Sequence, residues 1–444
     1  MSRRVLITGL GPVTGFGAGI DPLWEGLCAG RSAVAGIEGF DPGGFGCRIA
    51  SEVRDFKIRD YVPKTYRKAT KVMARDIELA VAAADLAARD AGLQTAATAE
   101  GGARSYDATR FGAHIGAGLI ATDLDELTAA LTEADAGDGS VDLKAWGREG
   151  MNALTPLWLL KYLPNMLACH VTIVHDAQGP SNTITCNEAS SGLSLGESVR
   201  VIQRDAADLC FCGGAESKIN PMAFLRQVFT GRLNTTHNPP DGDPAAAVRP
   251  YDRAAAGTAL GEGGGIVILE AADTFASRSG DKHAYAEVLG TGASQTVSRD
   301  TRNRAPDPEG RGIASAIRSA IADASLTPDD IDLAVPYAAG IPGWDRAELA
   351  ALAAVFGDRL AGLPITPTKP AVGNTGAAAG GVDLAVAAKA LDTQTIPPVI
   401  NRDAPLGPLP AGSPEPREAT LRHALVCSTS LGGQNVAVVL GRVG

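Results

Sequence analysis

Short apolar runs alternate along this chain with longer stretches in which apolar residues recur every three or four positions. That alternation predicts strands interleaved with helices, the pattern of an α/β fold. Val5-Leu-Ile7 reads as a buried strand closed by Thr8-Gly-Leu-Gly11. Met73, Ile77, Ala80, Val81, Ala84, Ala88 and Ala91 share one face at helical spacing. They predict a single helix from about Arg67 to Ala91, stopped by Gly92. Leu209-Cys-Phe-Cys212 predicts a strand ending at Gly213-Gly214, and Gly263 to Glu270 predicts another. Near the end, two apolar runs beginning at Ala424 and Val436 flank Ser430-Leu-Gly-Gly-Gln-Asn435, whose glycines predict a tight hairpin. Loops rich in Gly, Pro, Asp and Asn are expected over 98–110, 133–149, 233–250, 296–311 and 403–417. The polar stretch 271–283 separates two strand signals. It divides the chain into two halves of like architecture, 1–270 and 271–444.

With 444 residues, 45% of them hydrophobic, the chain can bury a large core. A formal net charge of −10 argues against nucleic acid as a partner, because a phosphate backbone calls for clustered Lys and Arg. No apolar run reaches the roughly 18 residues of a membrane span. The opening Met1 to Gly11 reads as strand and turn rather than a leader, so a cytoplasmic protein is expected. Seven cysteines without framework spacing predict reduced, mostly buried thiols. Cys210 and Cys212 read as core, and no Cys/His cluster has zinc spacing; neither a metal nor a cofactor is expected.

Several blocks, in order and nearly end to end, resemble the β-ketoacyl synthases, the elongating enzymes of fatty-acid and polyketide synthesis. They are Val5 to Gly11 with Trp24 to Gly30, then Gly179-Pro-Ser181 ahead of a small-residue helix carrying Gly196 and Arg200. Ala207-Asp208 and Gly213-Gly-Ala-Glu216 follow, then Arg249-Pro-Tyr-Asp252 with Gly261 to Gly265. Thr368-Lys369, Gly373, Gly376 to Gly380 and Leu431 to Asn435 complete the series. The resemblance implies a thiolase fold, five-layered α-β-α-β-α and built from two similar halves, with dimeric subunits and an acyl tunnel near their interface.

Decarboxylative condensation needs a nucleophile to hold the acyl chain and donors to stabilise an enolate. The family uses a cysteine at a helix N-terminus and two histidines. Counting from Gly179-Pro180 forward and from Gly213-Gly214 backward puts Glu188 at the cysteine position. Tyr337 occupies the first histidine position (Ala338 if the register shifts by one), and Asn374 the second, five residues after Lys369. Glutamate cannot form a thioester. Cys186, two residues early, reads as buried and inert, and His170 as structural. Glu188 is expected to pair with Lys369, because a lone buried carboxylate is costly. Leu431-Gly432-Gly433 stands at the tunnel gate, where the family usually has an aromatic residue. Arg253 to Gly257 lacks the charged residues the family carries there.

Three functions fit this pattern. One is a pseudo-ketosynthase resembling the chain length factor of type II polyketide synthases, paired with an active ketosynthase subunit. The family's chain length factors often carry glutamine at the cysteine position, so Glu188 is a departure. Another is an enzyme of different acyl-thioester chemistry with Glu188 as acid or base. The third is a homodimeric acyl-binding or regulatory protein. All three imply an acyl carrier protein as partner. Lys64, Arg67, Lys68 and Lys71 are the candidate docking residues for that acidic protein.

Overall fold

The computed structural model describes residues 3–99, 103–280, 282–297 and 305–444. Parts of the loops expected at 98–110 and 296–311 therefore lie outside the described residues. Nine strands carry the fold: β1 (Val5–Thr14), β2 (Phe111–Ala117), β3 (Ser181–Ile184), β4 (Leu209–Glu216), β5 (Gly263–Ala271), β6 (Ala286–Gln295), β7 (Leu333–Val335), β8 (His423–Thr429) and β9 (Gln434–Gly441). Hydrogen bonding orders them β7-β8-β9-β6-β1-β5-β4-β2-β3, with Gly17–Ala18 added to β1. β1 pairs antiparallel with β5 along most of its length and with β6 only at Val5–Ile7, so the two parts of the sheet are joined through a short ladder.

Six helices cover and fill it: α1 (Arg75–Asp90), α2 (Met166–His175), α3 (Ser190–Gln203), α4 (Arg311–Asp323), α5 (Pro342–Phe356) and α6 (Ala379–Thr393). α3 and α6 pack between β4 and β5 on one side and β8 and β9 on the other. α1 and α2 lie outside the β1–β5–β4–β2 face, and α4 with α5 outside β6 and β9. The layers thus run helix, sheet, helix, sheet, helix.

Two strands extend beyond their apolar runs. β1 continues through Gly9 and Gly11 to Thr14, and β4 through Gly213-Gly214 to Glu216. These glycines are strand residues because neighbouring backbone presses on them. A Cβ on Gly11 would stand 2.0 Å from the Ala83 carbonyl oxygen of α1, and one on Gly214 would stand 2.4 Å from that of Ala377. The C-terminal hairpin is present, with β8 and β9 antiparallel from His423↔Gly441 to Thr429↔Asn435.

The helix expected from Arg67 begins only at Arg75. Lys64–Tyr66 and Ala69–Val72 are separate 3₁₀ turns, and Met73 and Ala74 are extended, with ψ 129° and 167°. Met73 is buried, so its side chain keeps the helical periodicity although its backbone does not. Lys64, Arg67, Lys68 and Lys71 are therefore exposed on two turns rather than aligned on one helix. No helix among the described residues is long and apolar enough to cross a membrane.

If the Gly11 contact holds β1 against α1, Gly11→Ala should lower stability by about 3 kcal/mol in equilibrium unfolding. Gly44→Ala, where an added Cβ meets nothing within 4 Å, should leave the midpoint unchanged.

Candidate active site

The peptide turns sharply before α3. Cys186 has φ −128° and ψ 35°, and Asn187 adopts a left-handed φ of 48°, a conformation asparagine tolerates better than most residues. A 3₁₀ turn over Asn187–Ala189 then leads into α3 and aims Glu188 inward, where the residue is wholly buried.

Tyr337 follows β7. Glu348 of α5 accepts the Tyr337 and Ala338 backbone N–H groups at 2.9 and 2.8 Å, and holds this bend with Ala338 at φ 44°. Asn374 follows a short helical turn, Lys369–Val372. Its backbone is clamped by Ala259 and Gly261, and its Oδ1 accepts the Gly376 N–H at 3.1 Å. That contact assigns the amide orientation and leaves Nδ2 to donate toward Glu188.

The three side chains meet. Glu188 Oε1 accepts from Arg232 Nη2 at 2.9 Å, Asn374 Nδ2 at 3.1 Å and the Tyr337 hydroxyl at 3.2 Å. Asn374 Nδ2 also lies 3.2 Å from the Tyr337 oxygen. Glu188 Oε2 and Arg232 Nε have no protein partner. Burial opposes ionisation of Glu188, but Arg232 and then Lys218, with help from its own amide and Asn374, bring its pKa down to about 2. Burial likewise works against the Arg232 charge, and Glu188 more than restores it. The Tyr337 hydroxyl is pushed well above its ordinary pKa by burial and by the facing carboxylate, so it stays protonated and donates to Glu188 while accepting from Asn374.

Lys369 is not the partner of Glu188. Its ammonium pairs with Asp383 of α6, whose other oxygen accepts the Thr368 hydroxyl at 2.5 Å. Lys369 reaches the site only as a cation 5.8 Å from the Tyr337 ring centre. Arg232, on the loop after the helix Pro221–Val228, supplies the counter-charge instead. Position 232 lies outside every motif block, and the motif pattern meets the need of a buried carboxylate for a cation with Lys369 instead.

Cys186 is half-buried rather than buried, and burial raises its thiol pKa, which lowers its thiolate fraction. His170 sits in α2, its Nδ1 2.8 Å from the Tyr66 hydroxyl and none of its bonds to the site. Leu431 packs against Tyr337, Ala339, Ile341 and Trp344. Together with Gly433 and Trp344 it borders a cavity of about 20 Å³, room for about one water. Gly432 belongs to the same turn, closed by the Gly433 N–H on the Ser430 carbonyl. Among the described residues no group of three or more His, Cys, Asp or Glu could hold a metal ion.

Family models for the N-terminal and C-terminal domains of β-ketoacyl synthase match residues 2–274 and 285–403. The chain belongs to the β-ketoacyl synthase family. Among this family's curated members it is similar to 3-oxoacyl-(acyl-carrier-protein) synthase 2 of Coxiella burnetii, 29% identical over 99% of both chains. It is equally similar, at 29% identity over 99% of this chain and 98% of the other, to the tetracenomycin polyketide synthase ketoacyl synthase beta subunit of Streptomyces glaucescens. The solved ishigamide ketosynthase/chain length factor matches over the whole of both chains, with a TM-score of 0.81 at 28% identity. The fold of this β-ketoacyl synthase relative is thus the thiolase fold of ketosynthases.

Within this family scaffold the Glu188–Arg232 pair makes two measurable demands. Arg232→Met should cost about 3–5 kcal/mol at neutral pH, because it strands a buried charge. The same substitution on a Glu188→Gln background should cost at least about 1 kcal/mol less. Because the folded pKa of Glu188 lies below its ordinary 4.5, its stabilising contribution is present above pH 4.5 and is lost as pH falls toward 2. Glu188→Gln should flatten the dependence of Tm on pH in that window.

Proposed function

We infer that this chain is a non-condensing member of the family that serves as the chain-length-factor-like partner of an active ketosynthase subunit. The observation that carries the reading is the chemistry of Glu188, standing where the family's cysteine is expected, with Tyr337 and Asn374 at the histidine positions. A carboxylate there cannot hold an acyl thioester, and its three donors are already engaged. Reaction would therefore depend on a second chain that keeps Cys, His and His, since a dimer of two such sites has no nucleophile.

The alternative role of Glu188 as general acid or base fits poorly. A group with a pKa of about 2 carries no proton to donate near neutrality and is a weak base. An acyl-holding role finds little room beside Leu431, where the cavity is about 20 Å³.

The surface supports a protein partner. β3 is the outer strand of the sheet, and its Ser181 and Asn182 are exposed. α3 belongs to the middle layer, yet Leu193, Gly196 and Glu197 are only half-covered and Arg200 is exposed. Among the described residues, eight of the eleven large exposed apolar side chains lie within residues 119–173, apolar surface that a protein partner could cover. The exposed cations Lys64, Arg67, Lys68 and Lys71 suit the acidic surface of an acyl carrier protein.

Native mass measurement on the protein purified from its own cells tests the reading. It should run as a one-to-one complex with a similar-sized family chain that retains the cysteine and both histidines. A homodimer with no such chain would refute it.

A further inference from the structure

The three donors around Glu188 come from separate parts of the fold: Arg232 from the loop after Pro221–Val228, Tyr337 from the bend after β7, and Asn374 from the turn before α6. Each is at least nine-tenths buried, with relative exposures of 6%, 1% and 4%. They are held by bonds other than those to Glu188. Glu348 grips the backbone at Tyr337, Gly376 fixes the Asn374 amide, and Arg232 lies 5.9 Å from the Trp344 ring. The Tyr337 oxygen is also tied to Asn374 at 3.2 Å and faces Arg232 Nη1 at 3.5 Å. One cation and two neutral donors, preset and converging on one oxygen, constitute an oxyanion receptor.

We propose that Arg232, Tyr337 and Asn374 form a carboxylate-binding site whose resident ligand is the chain's own Glu188 side chain. The inference rests on the reading above that Glu188 is an ionised group rather than a nucleophile, and it adds what the surrounding residues have become. The ligand class is a small aliphatic carboxylate. The tether decides occupancy: an attached carboxylate has a high effective concentration and leaves no place for a free one. Glu188 Oε2, which lacks a protein partner, is the ligand's second oxygen, left bare because all the donors meet Oε1.

Truncation makes the site testable. Glu188→Ala removes a methylene and a carboxylate, the atoms of acetate. In this variant, acetate or formate at millimolar concentration should raise Tm saturably, by at least about 3 °C over chloride at equal ionic strength. The wild type should show no such difference, and Glu188→Ala/Arg232→Met should lose it. If Glu188→Ala does not fold in chloride, refolding from denaturant in acetate against chloride gives the same readout, with acetate restoring folded protein. Equal behaviour in acetate, formate and chloride would overturn the proposal, as would an undiminished effect without Arg232. These outcomes are independent of condensation. Acyl transfer by the wild type would sink the proposed function, whereas absent rescue with no acyl transfer would sink the carboxylate site alone.

Discussion

A carboxylate buried beneath two sheets costs several kcal/mol unless a cation and donors replace its water. Glu188 meets that constraint with Arg232, Asn374 and Tyr337, all directed at a single oxygen. Other features of the site follow from it. Ionisation leaves Glu188 with no proton to give, and its Oε1 takes up the Arg232 Nη2, Asn374 Nδ2 and Tyr337 hydroxyl donors. The bends at Asn187 and Ala338 are kept because the groups they present are bound to one another. A second buried pair, Lys369 with Asp383, is satisfied separately and supports the turn that carries Asn374.

Close packing makes such convergence possible. α6 lies against β5 so tightly that a Cβ on Gly381 would meet the Gly265 carbonyl oxygen at 1.9 Å, while Gly264 on the same strand faces Leu79 of α1 at 2.7 Å. Helices far apart in the chain, α1 and α6, are thereby fixed to a common strand. The elbow before α3 and the turn before α6 face each other across the middle layer. Interiors packed this way transmit position with little slack, which is what an array of 2.9–3.2 Å contacts between distant segments requires.

Much of this was legible in the residues. Apolar runs located β1, β4, β5, β8 and β9, and the order of glycine-rich blocks brought Glu188, Tyr337 and Asn374 to one place. Strand ends were not legible, because Gly9, Gly11, Gly213 and Gly214 look like turn residues until the backbone pressing on them, α1 at Gly9 and Gly11 and β5 at Gly213, is known. The start of α1 was misplaced because burial at Met73 mimics helical phase. The counter-ion of Glu188 was assigned to Lys369 because both lie in motif blocks. Arg232 lies 44 residues away from Glu188 on an irregular loop, where no periodicity connects them. Asp383, which takes Lys369, sits among alanines and glycines on a helix with every neighbour buried, and its charge was the unread sign of a partner.

The charge of Glu188 is the claim on which the account stands, and the carboxyl carbon can report it directly. With glutamate carboxyl groups labelled with carbon-13, the Glu188 resonance is assigned by its loss in Glu188→Gln and followed through a pH titration. The account predicts a carboxylate shift that stays constant from pH 8 down to pH 4, with movement only as pH approaches about 2. A titration midpoint above pH 5 would contradict it, and would return Glu188 to the list of groups able to carry a proton in catalysis.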